Sequence, residues 1–189
     1  MAYLQTRLGR WFFEEQGETK RAGDATIVLL PSLLCDGSMW RGQLAPLREL
    51  GRVVVFDGPG HGKSEVPPPF TLEDNARALG DALDALGVAR VVIVGLSWGG
   101  MLAMRFALSS PARLAAMAIF DTSADGTLLR ERIEYRALCL LASKIGLPPA
   151  LVRKKIVPLM FADGTRAREP ALVDGFVRDL CGFVTEGVT

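Results

Sequence analysis

The sequence predicts an α/β fold built on a mainly parallel sheet, and three observations carry that reading. Short, almost wholly apolar runs recur at Thr26-Ile27-Val28-Leu29-Leu30, Val53-Val54-Val55-Phe56 and Val91-Val92-Ile93-Val94. Such continuous runs are what a strand shows when its sheet is covered on both faces. Segments with helical spacing lie between them, and strand–helix alternation means a parallel sheet with helices on both sides. After Asp121 the alternation stops and helix follows helix, which predicts a partial sheet core over residues 1–125 and a helical subdomain over 126–189.

In chain order, the first element reads as an antiparallel hairpin. Trp11, Phe12 and Phe13 follow Gly9-Arg10, and Gly17 closes the run; aromatics favour strands and glycines mark turns. The strand Thr26–Leu30 comes next. A helix around Trp40 to Leu50 is the weakest of the helical segments because it contains Gly42 and Pro46. Thr71-Leu72-Glu73-Asp74 opens a helix with a capping-box pattern. Leu72, Ala76, Leu79, Leu83 and Leu86 then recur on one face, and Gly87 sits where a helix end wants a left-handed residue. The strand at Val91 is followed by a helix from Trp98 to Ser109, stopped by Pro111. Leu114 to Phe120 reads as a further strand, diluted by alanines. Thr127 to Ile145, Pro149 to Val157 and Pro170 to Phe183 read as helices, with Gly146, Pro148, Pro158 and Asp163-Gly164 as punctuation.

Composition bounds the function. Of 189 residues, 49% are hydrophobic and 23% charged, ordinary globular values that exclude a disordered tail, a collagen and a coiled coil. Basic residues number 22 and acidic ones 21, so the basic footprint of a nucleic-acid binder is absent. One histidine, His61, and three cysteines, Cys35, Cys139 and Cys181, with no C-x-x-C pair, argue against a zinc site or a disulfide framework. The uncharged run Val91 to Met104 falls short of the ~20 residues that span a bilayer. The N-terminus lacks the apolar core of a signal peptide. No membrane partner, no metal and no organic cofactor are expected, and a cytoplasmic setting is.

The segment that carries chemistry is Val91-Val92-Ile93-Val94-Gly95-Leu96-Ser97-Trp98-Gly99-Gly100. It is G-x-S-x-G between a predicted strand and a predicted helix, the context in which this pattern marks a nucleophilic serine. Glycines Gly95 and Gly99 let strand and helix approach closely around a sharp turn. The helix starts just after Ser97, and its N-terminal dipole favours developing negative charge.

With two further stretches, the chain resembles the α/β-hydrolase family. Asp57-Gly58-Pro59-Gly60-His61-Gly62-Lys63-Ser64 is similar to that family's D-x-x-G-H-G-x-S turn. Leu30-Pro31-Ser32-Leu33-Leu34-Cys35-Asp36-Gly37-Ser38-Met39-Trp40 is similar to its oxyanion loop. The resemblance implies a serine hydrolase, an eight-stranded sheet when complete, and a helical lid inserted after the sixth strand. It implies that Ser97 is the nucleophile and that the backbone N–H groups of Trp98 and Leu33 are the oxyanion donors. Gly-Leu-Ser-x-Gly-Gly-Met resembles enol-lactonases and small carboxylic-ester hydrolases, so a small apolar ester or lactone is the implied substrate.

Family order is serine, then acid, then histidine, and no histidine follows Ser97. His61 precedes it and is expected to hold the glycine turn by hydrogen bonds. Asp121 reads either as an acid in an alternative position or, more simply, as a turn or cap residue. The expectation is therefore a C-terminally truncated hydrolase that lacks its last sheet units and is inactive by itself. A non-catalytic small-ligand-binding protein on the same scaffold, and half of a two-chain hydrolase completed by a partner bearing acid and histidine, are the alternatives. Cys35 is expected to be a small buried side chain, and Arg153-Lys154-Lys155 a solvated helix face. Leu140, Leu141, Leu151, Phe161 and Phe176 give the helical part an apolar character suited to packing or to an acyl pocket.

Overall fold

The computed structural model of the chain describes residues 2–21, 23–125 and 146–187. It divides into two compact units, Met1–Ala124 and Asp125–Thr189. The first is a six-stranded sheet in the order β1-β2-β4-β3-β5-β6. Strands β1 (Ala2–Thr6) and β2 (Gly9–Gln16) form the antiparallel hairpin, and β2 pairs antiparallel with β4 (Val53–Phe56). From β4 through β3 (Thr26–Leu30) and β5 (Val91–Leu96) to β6 (Leu114–Phe120) the sheet is parallel. The predicted fold class is the observed one, with β5 two residues longer than its apolar run.

Helices on the two faces explain the apolar runs. On one face, α2 (Leu72–Ala85) and α3 (Trp98–Ser109) bury Ala76, Leu79, Leu83, Leu102 and Phe106 against Trp11, Val28, Val54, Phe56 and Ile93. On the other face, Leu29, Val53 and Val55 pack with Trp40, and Leu44 and Leu47 lie against that cluster. Trp40 ends a 3₁₀ turn, Gly37–Trp40, that leads into α1 (Arg41–Arg48). The capping box on α2 is complete. Thr71 Oγ1 accepts the Asp74 N–H at 3.1 Å, and the Asp74 carboxylate accepts the Thr71 N–H at 3.1 Å. Gly87, at φ +65°, ends this helix as its position predicted. Arg7, in the hairpin turn, donates to Asp81 on α2 from both its backbone and its guanidinium, which fastens the hairpin to that helix.

Strand β6 differs from the other central runs. It lies at the outside of the described sheet and is exposed from Ala115 to Phe120. Its alanines thus belong to a strand whose apolar residues are not covered as those of β3 and β4 are.

In the second unit the expected helix Thr127 to Ile145 lies outside the described residues, as do Cys139, Leu140 and Leu141. The helix expected over Pro149 to Val157 runs further and is interrupted. Pro149–Leu151 (α4) leads into a π-helical stretch, Val152–Ile156, and then Val157–Met160 (α5). Pro158 accounts for the widening: its ring lacks an N–H and would clash with the carbonyl four residues back, at Lys154, in an ordinary α-turn. Asp163-Gly164, read as punctuation, instead opens a short helix, α6 (Asp163–Arg168), tied by an ion pair between Arg166 and Asp163. Glycine is tolerated in a first turn, where few backbone bonds depend on it. The last helix, α7 (Pro170–Gly187), extends past the expected Phe183. Phe161 and Phe176 meet edge to face at 5.2 Å. Arg153, Lys154 and Lys155 are exposed, and Arg153 pairs with Asp174 at 2.8 Å.

Candidate active site

Three loops leave the carboxyl ends of adjacent parallel strands. They are residues 31–36 after β3, residues 57–64 after β4, and Ser97 after β5. The registers Leu29 with Val55 and Leu30 with Gly95 put those strand ends side by side. This is the edge at which open α/β sheets bind ligands.

Ser97 is the N-cap of α3, at φ 50° and ψ −112°. A non-glycine residue with positive φ carries a cost of about 1–3 kcal/mol and persists only where its surroundings over-determine it. They do so here. The Ser97 N–H donates to the Phe120 carbonyl at 2.9 Å, and its carbonyl accepts the Met101 N–H at 3.0 Å and the Thr122 hydroxyl at 3.1 Å. The flanking glycines have no room for a side chain. A Cβ on Gly95 would stand 2.5 Å from the Gly99 carbonyl oxygen, and one on Gly99 would stand 2.3 Å from that of Leu30. The second contact brings the start of α3 against the start of the loop after β3. Because α3 begins at Trp98, the Trp98 N–H is among the helix donors left without an intrahelical acceptor, next to the serine.

In the loop after β3, Leu33 is 51% exposed and Leu34 is left-handed at φ 61°. The Cys35 N–H donates to the Ser32 carbonyl at 3.2 Å, and the Ser32 N–H reaches Met39 Sδ at 3.3 Å. Asp36 caps the following 3₁₀ turn by accepting the Ser38 N–H at 2.8 Å. Cys35 is half-buried rather than buried, since the loop that carries it runs at the strand ends and not inside the core.

The glycine turn reaches both neighbours. Asp57 is buried; its Oδ1 accepts the Gly37 N–H at 2.8 Å and its Oδ2 accepts the Lys63 N–H at 2.8 Å. Burial pushes its carboxyl above the ordinary 3.8, against the pull of those two N–H bonds. Ser64 Oγ donates to the Asp57 carbonyl at 2.8 Å and accepts the Phe12 N–H at 2.9 Å, anchoring the turn to β2. His61 Nδ1 lies 2.9 Å from the Pro59 carbonyl, and its ring stacks on Trp98 at 5.2 Å and 24°. A carbonyl can only accept, so the neutral ring carries its proton on Nδ1. Burial holds the imidazole below its ordinary 6.5. His61 therefore holds the turn by a hydrogen bond, as its place in the sequence suggested, and touches the elbow as well. Asp121 stands just beyond β6 at φ 46°, exposed. Among the described residues, no group of three or more His, Cys, Asp or Glu side chains is placed to hold a metal. No helix among them is long and apolar enough to cross a membrane.

The model of the alpha/beta hydrolase family matches residues 27–186. The chain belongs to the alpha/beta hydrolase family. Lipase LipV of Mycobacterium tuberculosis is 32% identical over 144 residues, which are 75% of this chain and 53% of the lipase. The chain thus spans about half the length of that relative. The enol-lactonase of Burkholderia xenovorans is 28% identical with a TM-score of 0.84, over 99% of this chain and 70% of that one. A thermophilic esterase of Thermogutta terrifontis is 26% identical with a TM-score of 0.87, over 99% and 68%. The family expected from the three motifs is the family found.

Two contributors escaped the sequence reading. The Asp57 carboxylate was legible only as a motif letter, although a lone acid ahead of three closely spaced glycines at the end of a buried strand is a signal for a turn built around it. The Thr122 hydroxyl, which also donates to the Phe120 carbonyl at 2.8 Å, has no local signal at all; it acts through the register of β6 on β5.

Proposed function

We propose that this alpha/beta hydrolase acts on small carboxylic esters or lactones through an acyl-enzyme on Ser97. The observation that carries the reading is the left-handed Ser97 between β5 and α3, fixed by three hydrogen bonds and flanked by glycines that admit no Cβ. Ser97 Oγ attacks the acyl carbon and its proton passes to a base. The carbonyl oxygen becomes an oxyanion, received by the N–H groups of Trp98 and Leu33. Each such donor contributes about 2.7–4 kcal/mol to the transition state. The alcohol of an ester leaves with a proton, whereas a lactone opens to a protonated hydroxyl still tethered to the acyl group, and water then releases the acid or hydroxy acid. Relatives named as a lipase, an esterase and an enol-lactonase support this substrate class.

The base is the part that residues 1–189 do not supply after Ser97. A serine without its base is a weak nucleophile, so this chain alone is expected to acylate slowly and not to turn over. Residues 1–125 would serve as core and residues 126–189 as lid. Three cysteines without a paired motif support a reducing, cytoplasmic setting.

Labelling with a fluorophosphonate tests the reading. The adduct is expected on the peptide carrying Ser97, faster at alkaline pH, and lost in Ser97→Ala. No adduct on Ser97 at any pH would overturn it. The engagement of the only histidine with Pro59 and Trp98 favours a second reading, a reversible binding protein for the same small apolar ligands. That reading expects a lactone to bind Ser97→Ala as tightly as the parent chain.

A further inference from the structure

We propose that Asp57 is a positioning residue for the oxyanion hole: its carboxylate clamps the loop after β3 to the glycine turn and so sets where the Leu33 N–H points. This rests on the reading of Ser97 as nucleophile and of the Leu33 and Trp98 N–H groups as donors.

The geometry is a two-sided clamp. Each carboxylate oxygen takes an N–H from one loop, Oδ1 from Gly37 and Oδ2 from Lys63, both at 2.8 Å. Both loops also make room for it. A Cβ on Gly62, already left-handed at φ +52°, would stand 2.2 Å from Asp57 Oδ2. A Cβ on Gly37 would stand 3.2 Å from Oδ1 and 2.7 Å from Val55 Cγ1. A buried carboxylate with two backbone donors and a glycine at each side is a fixed point, not a solvated turn residue. Leu33 lies four residues before Gly37, beyond the left-handed Leu34. Its loop is held at one end by the Ser32 N–H on Met39 Sδ and at the other by Asp57. The same glycine turn bears His61 against the Trp98 ring. One turn thus braces both oxyanion donors, through Asp57 on the loop side and through the stacked rings on the elbow side. Oxyanion donors act only when held at hydrogen-bond distance from the place where charge develops, so the position of Leu33 matters more than the exposed loop suggests.

The test is acylation of this chain by p-nitrophenyl acetate, followed by intact mass, because acylation reads the tetrahedral transition state without requiring turnover. Asp57→Asn keeps the size of the side chain but presents an N–H donor to one of the two backbone donors. The maximal acylation rate is expected to fall at least about tenfold, while the half-saturating ester concentration stays within about twofold, because a displaced oxyanion donor affects the transition state more than the bound ester. Amide exchange is expected to speed up at Gly37 and Lys63 and to stay slow along β5. Gly37→Ala crowds Val55 Cγ1 and Asp57 Oδ1 and so pushes the loop off the clamp while keeping the charge of the carboxylate, and it is expected to lower the rate in the same way. This second variant decides the matter where Asp57→Asn does not fold. An unchanged acylation rate in a folded variant with an unprotected Gly37 amide would overturn the proposal and leave the Ser97 reading standing. Equal acylation of the parent chain and Ser97→Ala, with no adduct on Ser97, would overturn both.

Discussion

His61 is buried, keeps its proton on Nδ1 for the Pro59 carbonyl, and lies flat on Trp98. Its imidazole is held below the ordinary 6.5 by burial, and this has a sign. Above about pH 6.5 the ring is neutral in both the folded and the unfolded chain, and folding is unaffected. As pH falls through that value the unfolded chain takes up a proton that the folded chain refuses, so stability falls until the lower folded value is reached. The slope within that window is at most about 1.4 kcal/mol per pH unit. Asp57 runs the other way: its raised carboxyl favours the folded state toward acid and loses that contribution as pH rises from 3.8 through its folded value. His61→Phe keeps a ring on Trp98 and removes the titration. The parent chain is expected to lose about 1 kcal/mol between pH 7.5 and 5.5 that His61→Phe does not lose. Urea unfolding midpoints of both chains at the two pH values check this, and parallel curves would refute it. At this scale the sequence disclosed Ser97 and its glycines, because a five-residue pattern in a strand–helix context is local. It left Thr122 unseen, because that hydroxyl reaches Ser97 only through pairing of two strands distant in the chain.

The elements most legible in the sequence are those whose signals are local and redundant. Helix α2 has a capping box at Thr71, a single apolar face and Gly87 at its end, and each is found in place. Thr71 Oγ1 both accepts the Asp74 N–H and donates to the Asp74 carboxylate at 2.7 Å. Those bonds hold the Asp74 carboxyl below its ordinary 3.8. Thr71→Ala removes the cap and is expected to destabilise the chain by about 1 kcal/mol, while Thr71→Ser retains most of it. Thermal unfolding of the three chains is the measurement, and equal midpoints would show that tertiary packing alone places the start of α2. The elements least legible are in the second unit. The π-helical stretch before Pro158 and the short α6 at Asp163 depend on how a proline or a glycine is accommodated, not on periodicity. Residue patterns marked those positions as breaks, and the chain instead carries Pro158 inside a helix and starts another at Asp163.

For the chain as a whole, the unresolved matter of energetics is β6. The inner strands β3 and β4 are buried almost throughout, yet β6, equally apolar, is exposed from Ala115 to Phe120. Its sequence, Leu114-Ala115-Ala116-Met117-Ala118-Ile119-Phe120, has no charge and no proline. Edge strands in stable monomers are blunted by just such residues, or by bulges that twist the edge away. Here the one register irregularity falls at the start of the strand, beside Val91 and Val92, and leaves the rest straight. Met117 is 38% exposed, Ile119 37% and Phe120 51%, so both pleat faces offer apolar surface beside the pairing edge. A strand of this kind pairs with whatever strand is offered. In a solution of residues 1–189 alone the strand most available is β6 of another copy. Sedimentation is therefore expected to show concentration-dependent association of the parent chain. Met117→Lys places a charge in mid-strand, where its burial between paired sheets is costly, and is expected to weaken association at least about tenfold with the sheet intact by circular dichroism. A parent chain that stays monomeric at every concentration would refute pairing through β6, while the strand order, which rests on the pairing of β1 to β6 within one chain, would stand.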